Sequence, residues 1–360
     1  MQWVQSTTAT DAERLYYSAI SSPYTQRLYR TYLSKYLAFH GMKNVGELLG
    51  KDHKEIEAQI IDFIIASKEK GMKRGAISNY VTPVLSFCKI NDIMVNTTKV
   101  NKFMPPQVKS KKTYGYNHSQ IQSLLDIADE RMRIVILLAS HGLRIGAIPG
   151  LNVGSCEEYK GLYKITIYEN QPEEYIVFST SELKKEIISY LGMRRRYGEV
   201  ITTASPLVRE QFDRRDQFAI AHPKRIKEPA LARKLSELAE AAGLRTKVQL
   251  KEGQQAASIR SEIPRTNGFR RFYCGILADS GLLTERRWLL EGHALKGNDS
   301  AYLKITTEDL YNQFMLAHDN LLIDQSHKLQ KKIEKLEVEK TEIQALALEL
   351  EKVKKAIQIK

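Results

Sequence analysis

The segment that most limits how this chain can fold is Pro105-Pro106, followed shortly by Lys109-Ser-Lys-Lys112. Consecutive prolines fix φ and remove backbone donors, and the lysines that follow show no apolar period that a core could bury. The stretch reads as an extended basic linker, so the chain must fold in parts on either side of it. Its 360 residues suffice for two ordinary cores and an appendage. The expected boundaries are a helical domain over 1–104, the linker over 105–116, a second domain over 117–320 and a separate helix over 321–360.

Ahead of the linker, helical spacing dominates. Ser22-Pro23 supplies an N-cap and a proline for the first turn, Leu28, Tyr32, Leu33, Tyr36 and Leu37 form an apolar stripe, and Gly41 closes the helix. A second helix carries Ile56, Ile60, Ile61 and Ile64 and ends before Gly71. A third runs from about Gly75 through Val81, Val84, Leu85 and Cys88, with Pro83 predicting a kink or a late start. The tyrosines of these helices are read as packing between helices, with stacking on bases as the alternative.

Past the linker, helices are expected over 120–128 and 131–141, and then a β-hairpin. Ile165 and Ile167 alternate with Lys164 and Thr166 to give one buried and one open face, and the turn Glu169-Asn-Gln-Pro-Glu173 leads to Tyr175-Ile-Val-Phe178. Ser181 is read as the cap of a helix over 183–193 that runs into Arg194-Arg-Arg196. Further helices are expected over 230–242, 269–279 and 284–290, with Gly243 and Gly281 as stops and Thr284 as a cap. The fold class is therefore mainly α with a small antiparallel sheet. In the tail, Leu322, Leu329, Leu336, Ile343, Leu350 and Ile357 recur every seven residues among lysines and glutamates, which marks a coiled-coil seam. The companion positions Ile333, Lys340, Ala347 and Lys354 are poorer. Self-association through this helix is expected, with folding back onto the second domain as the alternative.

The formal net charge of +13 favours a polyanionic partner, bound with counterion release and hence salt-sensitively. Cys88, Cys156 and Cys274 lack metal or redox spacing, and the opening Met1-Gln-Trp-Val-Gln-Ser lacks the pattern of a signal peptide. No apolar run reaches membrane length, so a cytoplasmic protein in a reducing compartment is expected.

Four side chains then stand out by type and order: Arg144 in Leu143-Arg144-Ile145-Gly146, Arg270 in Asn267-Gly-Phe-Arg270, His293 and Tyr302. Metal-free transesterification of a phosphodiester needs a nucleophile, which a phenol supplies. It also needs cations that hold and neutralise the non-bridging oxygens, which guanidiniums supply. His293 follows Arg270 by 23 positions, and Tyr302 follows His293 by 9.

In this order and spacing the chain resembles the tyrosine recombinase (phage integrase) family over roughly Tyr24 to Ala317. His141-Gly-Leu-Arg-Ile-Gly-Ala-Ile148 is similar to its first arginine box, Asn267-Gly-Phe-Arg-Arg-Phe-Tyr273 to its second, and Leu289-Leu-Glu-Gly-His-Ala-Leu295 with Tyr302 to its histidine segment and nucleophile. The resemblance implies the tyrosine recombinase catalytic fold, preceded by a helical DNA-binding domain and here followed by a coiled-coil helix. The implied activity is site-specific recombination that integrates or excises a mobile element. A chromosome-dimer resolvase, a type IB topoisomerase and a relative that binds DNA without cutting it are the alternatives.

Carried over, Tyr302 attacks the scissile phosphate to form a 3′-phosphotyrosyl link, Arg144 and Arg270 hold its non-bridging oxygens, and His293 donates a hydrogen bond to it. Bond energy is conserved in that link, so neither metal nor nucleotide cofactor is implied. The implied partners are double-stranded DNA with specific recombination sites, met in part by Lys109, Lys111 and Lys112, and further copies of the chain as a tetramer on DNA. No membrane is implied.

Two positions depart from the family pattern. Asn267 stands where histidine is usual, and an amide donates hydrogen bonds but does not shuttle protons. The family's hairpin lysine, which protonates the leaving 5′-oxygen, has no counterpart in Glu169-Asn-Gln-Pro-Glu-Glu174. Lys164 is the candidate for that role, ahead of Lys160. Tyr311 is the competing nucleophile, without the matching distance from His293.

Overall fold

The computed structural model describes residues 9–107, 113–245, 263–295 and 303–358. The chain divides into two compact units, Met1–Ser110 and Lys111–Lys360. The first is helical: α1 (Ala9–Ser18), α2 (Pro23–Phe39), α3 (His53–Glu69), α4 (Arg74–Ile90) and α5 (Thr97–Phe103). α2 begins as its sequence dictates, with Pro23 in the first turn and the Ser22 hydroxyl accepting from the Thr25 N–H. Leu33 and Tyr36 of α2, Ile56, Ile60 and Ile64 of α3, and Val84 and Phe87 of α4 share one core.

α4 begins at Arg74, close to the expected Gly75, and continues through Pro83, so the late start that the proline allowed does not occur. Pro83 is buried there, and its carbonyl accepts from the Tyr16 hydroxyl of α1 at 3.0 Å. Packing thus offsets the missing backbone donor. α1 itself, which the sequence reading passed over, is held by fully buried Ala12 and Tyr16.

The second unit contains α6 (His118–Asp126), α7 (Glu130–Ser140), β1 (Cys156–Tyr159), β2 (Leu162–Ile167), β3 (Tyr175–Phe178), α8 (Ser181–Arg196), α9 (Gln217–Ala221), α10 (Glu228–Ala241), α11 (Asn267–Asp279), α12 (Thr284–Leu290), α13 (Thr307–Leu321) and α14 (Gln325–Gln358). α7 is the central element, because Ile134 through Ala139 are all enclosed. The sheet is antiparallel in the order β1-β2-β3, so the expected hairpin gains a strand. Ile165, Ile167 and Val177 line its buried face, whereas Lys164 pairs across with Glu157 and Phe178 on the other.

Two caps move by one residue. Thr180, not Ser181, caps α8 by accepting from the Leu183 N–H, and Thr284 is the first helical residue of α12, preceded by Leu283. Arg194 opens the run of three arginines that closes α8. It is fully buried and donates to Glu199 and to the carbonyls of Pro206 and Leu207. Arg209 donates to the same carboxylate at 2.6 Å. Burial raises the Glu199 pKa, but the two guanidiniums outweigh it and keep the carboxyl below its ordinary range.

α14 extends for 34 residues, and Leu329, Ile333, Leu336 and Ile343 on it are 54–66% exposed. Leu322 is fully buried and lies before the helix, so the apolar series starts at Leu329. Among the described residues no helix is long and apolar enough to cross a membrane.

The end of α7 is fixed by His141. Its ring is enclosed, with Nδ1 2.7 Å from the Leu137 carbonyl and Nε2 accepting from the Thr180 N–H at 3.0 Å. Those two bonds require a neutral ring protonated at Nδ1. Burial pushes its pKa down to about 4; the Leu137 hydrogen bond acts against this, and nearby His318 adds to it. The folded state therefore binds fewer protons than the unfolded one between the two pKa values. The stabilisation is complete above the ordinary histidine pKa and is lost as pH falls towards 4. We expect the wild type to lose about 3 kcal/mol more than His141→Gln between pH 7 and pH 4, measured by urea denaturation. Equal pH slopes in the two proteins would show that the ring is not held neutral.

Candidate active site

Two loops of the second unit meet around one guanidinium. Arg270, on the first turn of α11, donates from Nη1 to the Gly142 carbonyl at 2.7 Å and from Nη2 to the Glu291 carbonyl. The same Nη2 lies 3.2 Å from Nε2 of His293. An arginine can only donate, so this contact puts the imidazole lone pair on Nε2 and its proton on Nδ1, which faces the Glu291 carboxylate at 3.2 Å. His293 was expected to donate to phosphate. In the free chain its Nε2 lies against Arg270, and a ring carrying its proton on Nε2 donates from that atom.

Backbone shape produces this meeting. Gly142 has φ +83°, and a Cβ added there would sit 2.3 Å from the ring of Tyr273, a fully buried residue of α11. Gly292 has φ +66°, and an added Cβ would lie 2.8 Å from the Tyr175 ring. Each glycine ends a helix, and each is roofed by a tyrosine.

Arg144 stands just beyond Gly142, ahead of the short helical turn Ile145–Gly150. It is exposed, and no hydrogen bond or ion pair to it is found among the described residues. Its charge, like that of Arg270, reaches the phenols of Tyr168 and Tyr175 at the two ends of the β2–β3 turn. The structure thus gathers Arg144, Arg270 and His293. Asn267 is the exposed first residue of α11, on the same helix as Arg270.

Lys164 is not gathered with them. It forms an ion pair with Glu157 at 2.6 Å, on the face of the sheet opposite Ile167 and Tyr175. Lys160 is paired with Glu308, and the Tyr311 hydroxyl donates to the Lys160 carbonyl at 3.3 Å while its ring packs on Tyr159 and Phe178. Tyr302 lies outside the described residues, as do Lys109, Lys111 and Lys112. Sequence reasoning missed Glu291, Tyr168 and Tyr175. The nearest signals were a carboxylate two positions before His293 and aromatic residues bounding an acidic turn. Among the described residues, no group of three or more His, Cys, Asp or Glu is placed to hold a metal ion.

No protein-family model matches the sequence, and no curated protein does. Solved structures do match. The Tn1549 transposon integrase in complex with transposon right end DNA aligns with a TM-score of 0.55 at 13% identity, covering 84% of this chain and 98% of that one. The XerH site-specific recombinase bound to palindromic difH substrate aligns at 0.52 and 14% identity, covering 92% and 85%. The lambda integrase tetramer bound to a Holliday junction aligns at 0.50 and 13% identity, covering 83% and 79%. The chain has the tyrosine recombinase fold.

The two arginines of the site differ in their surroundings, and the difference is measurable. Arg270 ties three backbone segments together, so Arg270→Ala should lower stability by about 2 kcal/mol, the scale of charged hydrogen bonds. Arg144→Ala breaks no observed contact and should stay within about 0.5 kcal/mol of wild type. Urea denaturation of both variants checks this, and a large loss in Arg144→Ala would place that side chain in the framework.

Proposed function

We propose that the chain is a site-specific DNA recombinase that cleaves and rejoins double-stranded DNA through a 3′-phosphotyrosyl link at Tyr302. The observation that carries this reading is the convergence of Arg270 with His293, 3.2 Å apart, beside Arg144, which is exposed and has no partner among the described residues. A phosphodiester seated there would meet two guanidiniums at its non-bridging oxygens, and removing such a charge costs about 10³–10⁵ in rate. The phosphotyrosyl link retains the bond energy, so the free 5′-hydroxyl reseals the strand. Lys109, Lys111 and Lys112 contribute phosphate contacts, in keeping with the net charge of +13. We assign the activity to integration or excision of a mobile element, which the likeness to transposon and phage integrases supports.

One observation favours a second reading, a recombinase relative that binds and organises DNA without cutting it. The β2–β3 turn carries no lysine, and Lys164 is ion-paired on the far face of the sheet. The two readings separate in one experiment. Nicked duplexes of random sequence are incubated with the protein and selected for attachment that survives denaturing detergent. Wild type should yield covalent adducts and Tyr302→Phe none, while Arg144→Ala should slow attachment by about 10³-fold. Adducts in Tyr302→Phe would move the nucleophile elsewhere, and none from wild type would favour the non-cutting relative.

We assign self-association, to a tetramer on DNA, to the apolar stripe of α14, whose side chains stand exposed. Truncation after Ser326 should therefore preserve adduct formation on one site but reduce strand exchange between two. Loss of both together would mean that the helix supports the fold of the catalytic unit.

A further inference from the structure

Breaking a phosphodiester leaves a 5′-oxygen that needs a proton. The turn 168–174 beside the site holds Glu169, Glu173 and Glu174 and no cation, so it brings carboxylates rather than an ammonium donor. Lys164 and Lys160 are engaged by Glu157 and Glu308. At the base of the turn stands Tyr175, the first residue of β3, paired with Ile167. Its side chain is enclosed at 8% exposure, and its Oη is buried with no well-formed hydrogen bond among the described residues, the Arg270 guanidinium being the donor beside it. Its ring rests on Gly292, directly before His293, and Arg270 and Arg144 are the cations that act on it.

A buried hydroxyl left unpaired costs about 1–3 kcal/mol, and folded proteins keep few of them. Tyr273 is a second such phenol, but it is fully enclosed in the core against Gly142. Arg270 acts on Tyr273 too, but of the two buried phenols Tyr175 is the one on which both Arg270 and Arg144 act. Burial raises its pKa, so the proton is retained at neutral pH, while a phenolate formed there would be met by both guanidiniums.

We propose that Tyr175 is the general acid of strand cleavage, delivering its phenolic proton to the departing 5′-oxygen. The assignment rests on the recombinase reading above. As Tyr302 Oη bonds to phosphorus and gives its proton to water, the bond from phosphorus to the 5′-oxygen breaks. That oxygen takes the proton of Tyr175 Oη, and the phenolate stays beside Arg270 and Arg144. Resealing runs in reverse: the 5′-hydroxyl attacks phosphorus and returns its proton to the phenolate, and Tyr302 leaves and regains a proton from water. Since Oη is enclosed in the free chain, the turn 168–174 must draw aside as the phosphate enters.

The test compares wild type and Tyr175→Phe, which keeps the ring on Gly292, using a duplex recovered from the adduct selection. One version carries the natural phosphodiester. The other replaces the bridging 5′-oxygen at the cleavage point with sulfur, whose thiolate departs without protonation. Tyr175→Phe should bind the duplex normally, attach about 10²-fold more slowly to the phosphodiester, and recover the wild-type rate on the sulfur substrate. Equal slowing on both substrates, or no slowing on the phosphodiester, would overturn the assignment. Absence of any wild-type adduct would instead remove the recombinase reading, and this assignment with it.

Discussion

The second unit is organised around the donors of Arg270. Its two carbonyl partners lie at the C-terminal ends of helices, Gly142 beyond α7 and Glu291 at the end of α12. Helix ends leave carbonyls without intrahelical partners and carry the negative end of the dipole, so a cation there is favoured twice. The two ends are built alike. Each closes on a left-handed glycine, and each glycine is covered by a tyrosine ring, from Tyr273 or from Tyr175. One side chain thereby fixes loops that lie 128 and 21 residues away from it in sequence. A guanidinium held by backbone carbonyls keeps its direction whatever the neighbouring side chains do, and electrostatic catalysis depends on that preorganisation.

Arg144 completes the site in the opposite manner. Its backbone is set by the Gly142 turn on one side and the helical turn Ile145–Gly150 on the other, while its side chain has no partner among the described residues. One anchored and one free guanidinium suit a phosphate that must be met by a fixed charge and then enclosed by a second. A second charged cluster of this unit relies on different physics. Arg194, Glu199 and Arg209 form a buried triad with one carboxylate between two cations, and Arg194 also holds the carbonyls of Pro206 and Leu207. Breaking such a triad by removing Glu199 strands two buried charges, so the residues act as a unit.

What the sequence disclosed follows from which signals are local. The arginine boxes and His293 could be read because their chemistry and separation are both written along the chain. The hairpin could be read because period-two alternation is a property of adjacent residues. Burial of Arg194 could not, since three consecutive arginines look alike in sequence and the distinction is made by Glu199 and Arg209, which the fold brings to the first of them. Thr180 and Ser181 are both good caps, and backbone direction chose between them. α13 was legible and was passed over: Leu310, Phe314, Ala317 and Leu321 are a regular helical stripe behind a Thr306–Asp309 capping box. Tyr175 carries no sequence mark. Its place beside Arg270 is a product of strand register.

The tail shows how sequence period and burial constrain each other. With Leu322 buried ahead of the helix, the exposed series is Leu329, Ile333, Leu336, Ile343 and Leu346. Up to Ile343 the steps are four, three and then seven, with Lys340 occupying the core position within the last. Beyond Ile343 the sequence proceeds through Leu346, Leu350, Val353 and Ile357, in steps of three and four. Two three-residue steps therefore meet at Ile343, a change of phase that overwinds a coiled coil locally. A lysine at a core position beside a phase change costs stability, yet it penalises every pairing that slips from register. A helix of this kind gains little from a copy met at random in solution. On the recombinase reading proposed above, it gains much from a copy held nearby on the same DNA, where effective concentration supplies what the seam lacks.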